Sequence, residues 1–252
     1  VGKNFCSASA RLAIEKLRDG YQPVISENKK YVLSFNGEIF NYKDIICKYS
    51  FSNKEINSEA KLLVKLFELK GANFVKEIQG QFAISIYDTK ENKLYLFRDR
   101  FGIRPIFYKY QKKTFLYSSE IKSIIAFEGT APSTSLMGIA STSLFWSNIG
   151  KFTSFKDIYQ IPAGSFLTFS KGKIEIKKYW DNPIALNNNE DKLNKKFSYE
   201  NFYEILKEAV KRQIHGEVGF SSYLSGGVDS SAISYLLTKI QKSNISRYKC
   251  MF

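Results

Sequence analysis

Short aromatic and β-branched runs alternate with polar positions through the first 180 residues of the chain. "YVLSF" (31–35), "QFAISIYD" (81–88), "KLYLFRD" (93–99), "IFYKY" (106–110) and "TFLYSS" (114–119) predict strands, with turn residues between them. "GSFLTFSKGKIEIKKYW" (164–180) predicts a hairpin turning at Lys171-Gly172. The period changes in "SEAKLLVKLFELKG" (58–71), where Leu62, Leu63, Leu66 and Leu69 fall on one helical face and Gly71 ends the run. "SSEIKSIIAF" (118–127) predicts a second short helix, opened by a serine and carrying Glu120 in its first turn. This front part is α+β, with strands paired largely in sequence order.

A composition shift follows. "DNPIALNNNEDKLNKK" (181–196) is polar and Asn-rich, as linkers are, and places a boundary near residue 183. "SYENFYEILKEAVKRQI" (198–214) then opens with Ser198 and Glu200. It carries the i, i+3, i+4 pattern through Phe202, Ile205, Leu206, Ala209 and Val210. "EVGFSSYL" (217–224) predicts a strand and "SSAISYLLTKI" (230–240) a helix. No internal repeat is found.

Composition narrows the class. Of 252 residues, 44% are hydrophobic and 15% aromatic, which suits a globular protein with an ample core. No apolar run approaches the roughly 20 residues that cross a bilayer, so no membrane partner is expected. Cys6, Cys47 and Cys250 sit at unrelated spacings, forming neither a disulfide framework nor a zinc site, and the expected location is a reducing cytoplasm. The formal net charge of +14 comes from lysines scattered singly and in pairs. Without a basic stripe and interleaved aromatics, they read as a solvated surface, and no nucleic-acid partner is expected. The lone His215 reads as a surface residue.

Between the last predicted strand and helix lies Ser225-Gly226-Gly227-Val228-Asp229-Ser230-Ser231. Adjacent glycines let the backbone approach a ligand and present successive N–H groups. The following helix adds its N-terminal N–H groups and dipole, both favouring an anion. Ser225, Ser230 and Ser231 add hydroxyl donors, and Asp229 can hold Mg²⁺ against phosphate oxygens. The Walker pattern is absent, so no lysine reaches the β- and γ-phosphates. A Gly-Gly turn alone would be an ordinary joint; the whole string after an apolar strand points to phosphate.

"LSGGVDSS" (224–231) resembles the pyrophosphate loop of ATP pyrophosphatases, which cleave ATP between the α- and β-phosphates and adenylate a carboxylate or carbonyl. That class includes asparagine synthetase, argininosuccinate synthetase, GMP synthetase and tRNA thiolases, and the loop alone does not choose among them. On this resemblance Leu224, Ser225, Gly226, Gly227, Asp229, Ser230 and Ser231 would bind ATP.

Upstream, "ARLAI" (10–14), "GYQP" (20–23), "FNGEIFNYKDI" (35–45), "RDRFGIRPIFY" (98–108) and "SSEIKSI" (118–124) occur in that order. The series is similar to the class II glutaminase domain of glutamine-dependent asparagine synthetase. Together the two resemblances cover nearly the whole chain. They imply an α+β N-terminal nucleophile-type glutaminase sandwich (αββα) over 1–182 and a linker over 183–197. The start of an α/β adenine-nucleotide α-hydrolase-like domain follows over 198–252.

The resemblance implies a glutamine site. Arg11 would fork two N–H bonds to the α-carboxylate, which Lys cannot reproduce, and Ile14 would line the same pocket. The Asn36 carboxamide and the Gly37 N–H would form an oxyanion hole, unless the pair is an ordinary Asn-Gly turn. Glu38 would face the α-ammonium. Ser58-Glu59 stands where the family has Ser-Asp, so Glu59 either supplies a second carboxylate or serves the helix N-terminus. "RDRFGIRP" (98–105) reads as architecture, with Arg98 and Asp99 paired.

Other positions depart from the family pattern. Class II glutaminases use an N-terminal cysteine whose α-amino group can act as the base. This sequence begins at Val1, and Cys6 lies too close to Arg11 to be that cysteine. The histidine that often precedes the arginine by two is replaced by Ser9. The expectation is an inactive internal piece of a longer amide ligase. The parent would make asparagine from aspartate, using ammonia from glutamine, ATP, Mg²⁺ and an acyl-adenylate, and a homodimer is compatible with it. Three alternatives stay open: a relative amidating another carboxylate, such as that of a surface sugar; an adenylating relative resembling β-lactam synthetase, without glutaminase activity; and a non-catalytic binding module.

Overall fold

The structure, a computed structural model, describes residues 4–10, 20–52, 56–182, 198–214, 221–240 and 246–249. It divides into two units, Val1–Arg11 with Tyr21–Asp181, and Leu12–Gly20 with Asn182–Phe252.

In the first unit the alternating runs form a six-stranded antiparallel sheet. Its strands are β1 (Val24–Ile25), β2 (Tyr31–Ile39), β3 (Gly80–Asp88), β4 (Lys93–Arg98), β8 (Ser165–Ser170) and β9 (Lys173–Lys178), in that spatial order. A smaller sheet joins β5 (Phe107–Gln111) to β6 (Thr114–Ser118) on one side and β7 (Tyr159–Gln160) on the other. Alternation assigns the faces. Leu33, Phe35, Ile84, Ile86 and Phe97 pack with Leu62, Leu63, Leu66 and Phe67 of α2 (Glu59–Lys70) and with Phe74 of the 3₁₀ turn after it. On the opposite face Ala83, Tyr87, Leu94, Leu96 and Leu167 pack against Ile106, Tyr108 and Ile161. Covered on both sides, β3 is buried over most of its length. Each of these large side chains contributes roughly 1.5–3 kcal/mol of burial.

A fourth layer closes the stack. Tyr108 faces the large sheet, so its neighbour Lys109 points the other way. There Lys109 meets Glu128 at the end of α3 (Ile121–Glu128), N–O 2.7 Å, both half-buried or deeper. The first unit is therefore layered helix, sheet, sheet, helix. Two further helices, α1 (Tyr42–Tyr49) and α4 (Leu136–Phe145), lie outside the sequence expectations. Helix α1 is amphipathic but only eight residues long, with Ile45 alone buried, and α4 is nearly uniform in polarity, so it shows no clear helical period.

Several expectations shift in detail. Strand β2 runs four residues beyond "YVLSF", through Asn36, Gly37 and Glu38. Leu69 is 54% exposed. The buried face of α2 centres on Leu63 and Phe67, and at 100° per residue Leu69, in the last turn of the helix, falls about 140° away from it. Helix α3 begins at Ile121, leaving Glu120 as its extended N-cap rather than in its first turn. The hairpin turn is as expected: Lys171 and Gly172 have φ of 51° and 75°, the two positive values a type I′ turn requires.

In the second unit Ser198 caps α5 (Tyr199–Gln213), its Oγ accepting the Asn201 N–H at 3.4 Å. Val210 is buried, whereas Phe202 and Ile205 of the predicted face are exposed. Strand β10 (Ser221–Leu224), helix α6 (Val228–Ile240) and strand β11 (Ser246–Lys249) follow. β10 and β11 are parallel, Ser221 opposite Ser246, so the three elements make a βαβ unit. The predicted linker core at 183–197, His215 and the first residues of the predicted strand (217–220) lie outside the described residues. Among the described residues no helix is long and apolar enough to cross a membrane.

Candidate functional site

The end of β2 brings most of the predicted glutamine-site residues together. Asn36, Gly37 and Glu38 pair with Ala83, Phe82 and Gln81 of β3. They are strand residues, which excludes the ordinary Asn-Gly turn. Gly37 has φ of 146°, and a Cβ there would lie 2.0 Å from the Gln81 carbonyl oxygen. Across the ladder, a Cβ on Gly80 would lie 2.1 Å from the Glu38 oxygen. Two glycines thus let β2 and β3 approach where any side chain would collide. Asn36 shares the face of Ser34, toward the small sheet, and its Nδ2 donates to Ser119 Oγ at 3.4 Å. Just before it, Phe35 N–H donates to Gln22 Oε1 at 2.6 Å.

Glu59 adds a carboxylate to this strand end. Ser58 is the N-cap of α2, accepting the Lys61 N–H at 3.3 Å. Glu59 is released from capping, and its Oε1 accepts the Ile39 N–H at 2.6 Å. Behind it, Asn41 Oδ1 accepts Gln79 N–H at 2.8 Å and its Nδ2 donates to the Glu77 carbonyl at 2.9 Å. The turn leaving β2 is thereby fixed to the chain entering β3. The arrangement places a carboxamide, a glycine N–H and two carboxylates within four consecutive strand positions and one helix start. That set can recognise a group bearing both an oxyanion and an ammonium.

The loop "RDRFGIRP" supports β3 from the other side. Asp99 is fully buried and accepts four backbone N–H groups: Phe101 at 3.1 Å and Ile103 at 2.9 Å on Oδ1, Arg104 at 2.9 Å and Phe82 at 3.2 Å on Oδ2. Arg98 does not pair with it as expected. Its guanidinium donates to the Arg104, Gly102 and Ile161 carbonyls and to Gln160 Oε1, at 2.7–3.2 Å. Each charge is satisfied by the fixed dipoles of a folded loop, which the short sequence separation of the two residues concealed.

Arg11 and Ile14 lie outside the described residues. In the segment before them Phe5 stacks on Tyr87 with centroids 4.0 Å apart, while Cys6 and Ser9 are exposed. Gly80, Asp99 and Ser119 shape the site without having been singled out for it. Gly37 lies opposite Phe82 and Gly80 opposite Ile39, two pairs apart along the ladder, a register the sequence alone does not show.

The second unit holds the predicted phosphate loop by itself. Leu224 ends β10, and residues from Ser225 to Asp229 are exposed at the start of α6. Gly226 has φ of 88° with open space where a Cβ would be, so conformation, not crowding, calls for glycine. Ser225 and Ser230 hydroxyls lie 3.0 Å apart, Gly227 N–H donates to Ser225 Oγ at 3.4 Å, and Ser231 Oγ donates to the Gly227 carbonyl at 2.8 Å. These bonds, with Ser230 Oγ also donating to the Gly227 carbonyl at 3.1 Å, hold the exposed loop in a tight arc. Beneath it, the buried Ser222 and Ser234 hydroxyls pair at 2.7 Å and fix β10 to α6. Among the described residues no three His, Cys, Asp or Glu cluster as a metal cage. Asp229 is the loop's single carboxylate, a donor set that fits Mg²⁺ carried in with phosphates rather than a resident ion.

Comparison with known proteins follows the same division. Residues 1–180 match the family described as glutamine amidotransferase domain, and residues 201–252 match that described as asparagine synthase. The glutamine-hydrolyzing asparagine synthetase 2 of Bacillus subtilis is 33% identical over 243 residues, which are 93% of this chain and 32% of that protein. The glutamine-hydrolyzing asparagine synthetase B of Escherichia coli is 28% identical over 241 residues, 94% of this chain and 37% of that protein. Amidase chry2 of Gibberella zeae is 28% identical over 235 residues, 92% of this chain and 34% of that protein. The chain spans about a third of the length of these curated relatives.

Proposed function

The chain belongs to the glutamine amidotransferase family, in the line of the glutamine-hydrolysing asparagine synthetases, and from this premise we propose that its first unit releases ammonia from glutamine for an amide ligation served by the second. The observation that carries the reading is the Asn36-Gly37 pair, set in a strand where a side chain on Gly37 would collide with β3, and followed at Ile39 by the Glu59 carboxylate. In this reading a cysteine thiolate of the complete protein, of the kind class II glutaminases use, attacks the glutamine amide carbon, and the Asn36 amide and Gly37 N–H stabilise the oxyanion formed before ammonia leaves, a role worth about 10²–10³ in rate. Glu38 and Glu59 face the α-ammonium of glutamine, Arg11 its α-carboxylate, and Ile14 lines the pocket. Cys6, exposed on the segment seated by Phe5, is given no part in the chemistry.

The second unit, read as an adenine-nucleotide α-hydrolase-like domain, takes ATP as substrate. Leu224, Ser225, Gly226, Gly227, Ser230 and Ser231 with the start of α6 hold the departing pyrophosphate. Mg²⁺, held by Asp229 with the phosphates, supplies charge neutralisation. Aspartate is the carboxylate activated as its acyl-adenylate, ammonia is the acceptor, and asparagine is the product. The exposed thiols of Cys6 and Cys47 suit a reducing cytoplasm.

The test uses the protein expressed from its complete reading frame. Glutamine hydrolysis and ATP-dependent asparagine formation are expected, with Asn36→Ala losing glutamine-dependent but not ammonia-dependent synthesis. Asp229→Asn should weaken ATP use with either nitrogen source. Absence of glutamine hydrolysis by the unaltered protein would overturn the reading and leave an adenylating relative. The match to amidase chry2 supports a second reading, amidation of a carboxylate other than that of aspartate. Identifying the amide product separates the two.

A further inference from the structure

We propose that Ser119 is a positioning residue, aiming the Asn36 carboxamide at the developing oxyanion; this rests on the glutaminase reading above. Among the described residues the Asn36 side chain makes one hydrogen bond, Nδ2 to Ser119 Oγ at 3.4 Å. The two partners come from different sheets, Asn36 from β2 and Ser119 from the residue following β6. Sheet-to-sheet contacts fix register loosely unless something polar locks them. A lock exists two residues earlier on both strands. The Tyr117 hydroxyl lies 3.0 Å from Ser7 Oγ and 3.3 Å from Ser85 Oγ, and donates its proton to one of them. Ser85 Oγ donates to the Ser34 carbonyl at 3.4 Å, and the Ser7 and Ser34 hydroxyls lie 3.3 Å apart.

Side chains two apart on a strand share a face, about 6.6 Å along it. Ser34 and Asn36 on β2, and Tyr117 and Ser119 at β6, therefore advance together. The hydroxyl cluster sets the register, and Ser119 meets Asn36 one repeat further on. From the far side α3, which begins two residues after Ser119, is held to β5 by Lys109 and Glu128.

An amide side chain has two orientations of similar shape but opposite polarity. In one, Nδ2 lies toward Ser119 and its second N–H remains for an oxyanion. In the other, Oδ1 takes that place and repels the forming charge. The structure holds the first, with Ser119 Oγ accepting from Nδ2. Ser119 would thus act on the transition state through Asn36 and leave ground-state glutamine binding alone.

The experiment measures glutamine hydrolysis by the protein from its complete reading frame. Ser119→Ala is expected to lower kcat about tenfold with little change in KM, and Ser119→Thr to restore it. Asn36→Ala with Ser119→Ala should be no slower than Asn36→Ala alone, because the serine acts only through the amide. Thermal midpoints check that each variant is folded. An unchanged kcat in a folded Ser119→Ala protein, or a further drop in the double variant, overturns the proposal. If Asn36→Ala itself leaves kcat intact, the oxyanion reading falls, and this inference with it.

Discussion

The Glu59 carboxylate accepts the Ile39 N–H at 2.6 Å, so the first residue of α2 is bonded to the strand carrying Asn36, Gly37 and Glu38. The interaction satisfies one backbone N–H, and Glu59 also brings a negative charge to the strand end. Substitutions separate them. Glu59→Gln keeps an acceptor oxygen and should change stability by less than about 1 kcal/mol. Glu59→Ala orphans the Ile39 N–H and should cost about 1–3 kcal/mol. Both remove the negative charge, and both should raise the KM for glutamine at least about tenfold if the carboxylate faces the ammonium. Urea midpoints and glutamine kinetics on the three proteins test this. An unchanged KM in Glu59→Gln would confine Glu59 to holding α2 against β2.

The glycines at which β2 and β3 approach closely, Gly37 and Gly80, make a sharper stability prediction. In Gly37→Ala the new methyl would sit 2.0 Å from a backbone oxygen at φ of 146°, and neither strand can move without breaking the ladder. Gly80→Ala meets the Glu38 oxygen at 2.1 Å. Each should cost more than about 3 kcal/mol, in the range of overpacking plus backbone strain. Gly129→Ala is the control: φ is 68° but nothing lies within 4 Å of its Cβ, so a cost of roughly 1 kcal/mol is expected. Thermal unfolding of the three variants ranks them. Equal losses at Gly129 and Gly37 would show that conformation alone, without the close approach, decides the cost.

What the sequence disclosed follows from the range of each interaction. The hairpin at Lys171-Gly172 was legible because a type I′ turn needs only two adjacent residues with positive φ. The five strand runs were legible because their aromatic and β-branched residues are bounded by turn residues, whichever neighbour packs on them. Leu69 misled because four leucines fit a helical stripe, while the burial of Phe67 rather than Leu69 depends on where the sheet lies. Asn36-Gly37 looked equally like a turn, and only the pairing with Ala83 and Phe82 places it within a strand. The contact of Asn36 with Ser119 spans 83 residues and two sheets, beyond any local signal. The Arg98-Asp99 pair was expected from adjacency, yet β4 ends at Arg98 and the loop after it offers carbonyls to Arg98 and N–H groups to Asp99.

Asp99 is a buried anion whose two oxygens are held by four backbone N–H groups. Each Oδ accepts two of them. Asp99→Asn therefore turns an NH₂ toward two N–H donors whichever way the amide is flipped. Two orphaned donors at about 1–3 kcal/mol each predict a loss of roughly 2–6 kcal/mol. Because Phe82 lies on β3 opposite Gly37, the damage should reach the strand end, and glutamine hydrolysis should fall in the protein that remains folded. Urea unfolding with activity per folded molecule tests both statements. A loss under about 1 kcal/mol would mean that water replaces the missing acceptor.

Glu77 gives the protein a pH dependence of known sign. Its Oε2 accepts from Lys48 Nζ at 2.7 Å and from the Tyr49 hydroxyl at 2.5 Å, and its Oε1 lies 3.3 Å from Lys70 Nζ. The carboxylate thus ties the ends of α1 and α2 to the chain before β3. The hydrogen bond from Lys48, then that from Tyr49, outweigh burial and hold its pKa down to about 2. In the unfolded chain the value returns to about 4.3. A depressed folded-state pKa adds stability that is complete above the unfolded value and declines as pH falls toward the folded one. Discounted for a side chain 21% exposed, the contribution is roughly 1–2 kcal/mol at neutral pH. Glu77→Gln should therefore be less stable than the parent by about that much at pH 7, with the gap narrowing steadily below pH 5. Urea midpoints of both proteins between pH 7 and pH 3 measure it. A gap that stayed constant across that range would assign the loss to the Tyr49 hydrogen bond and packing, leaving the Lys48 and Lys70 charges without a share.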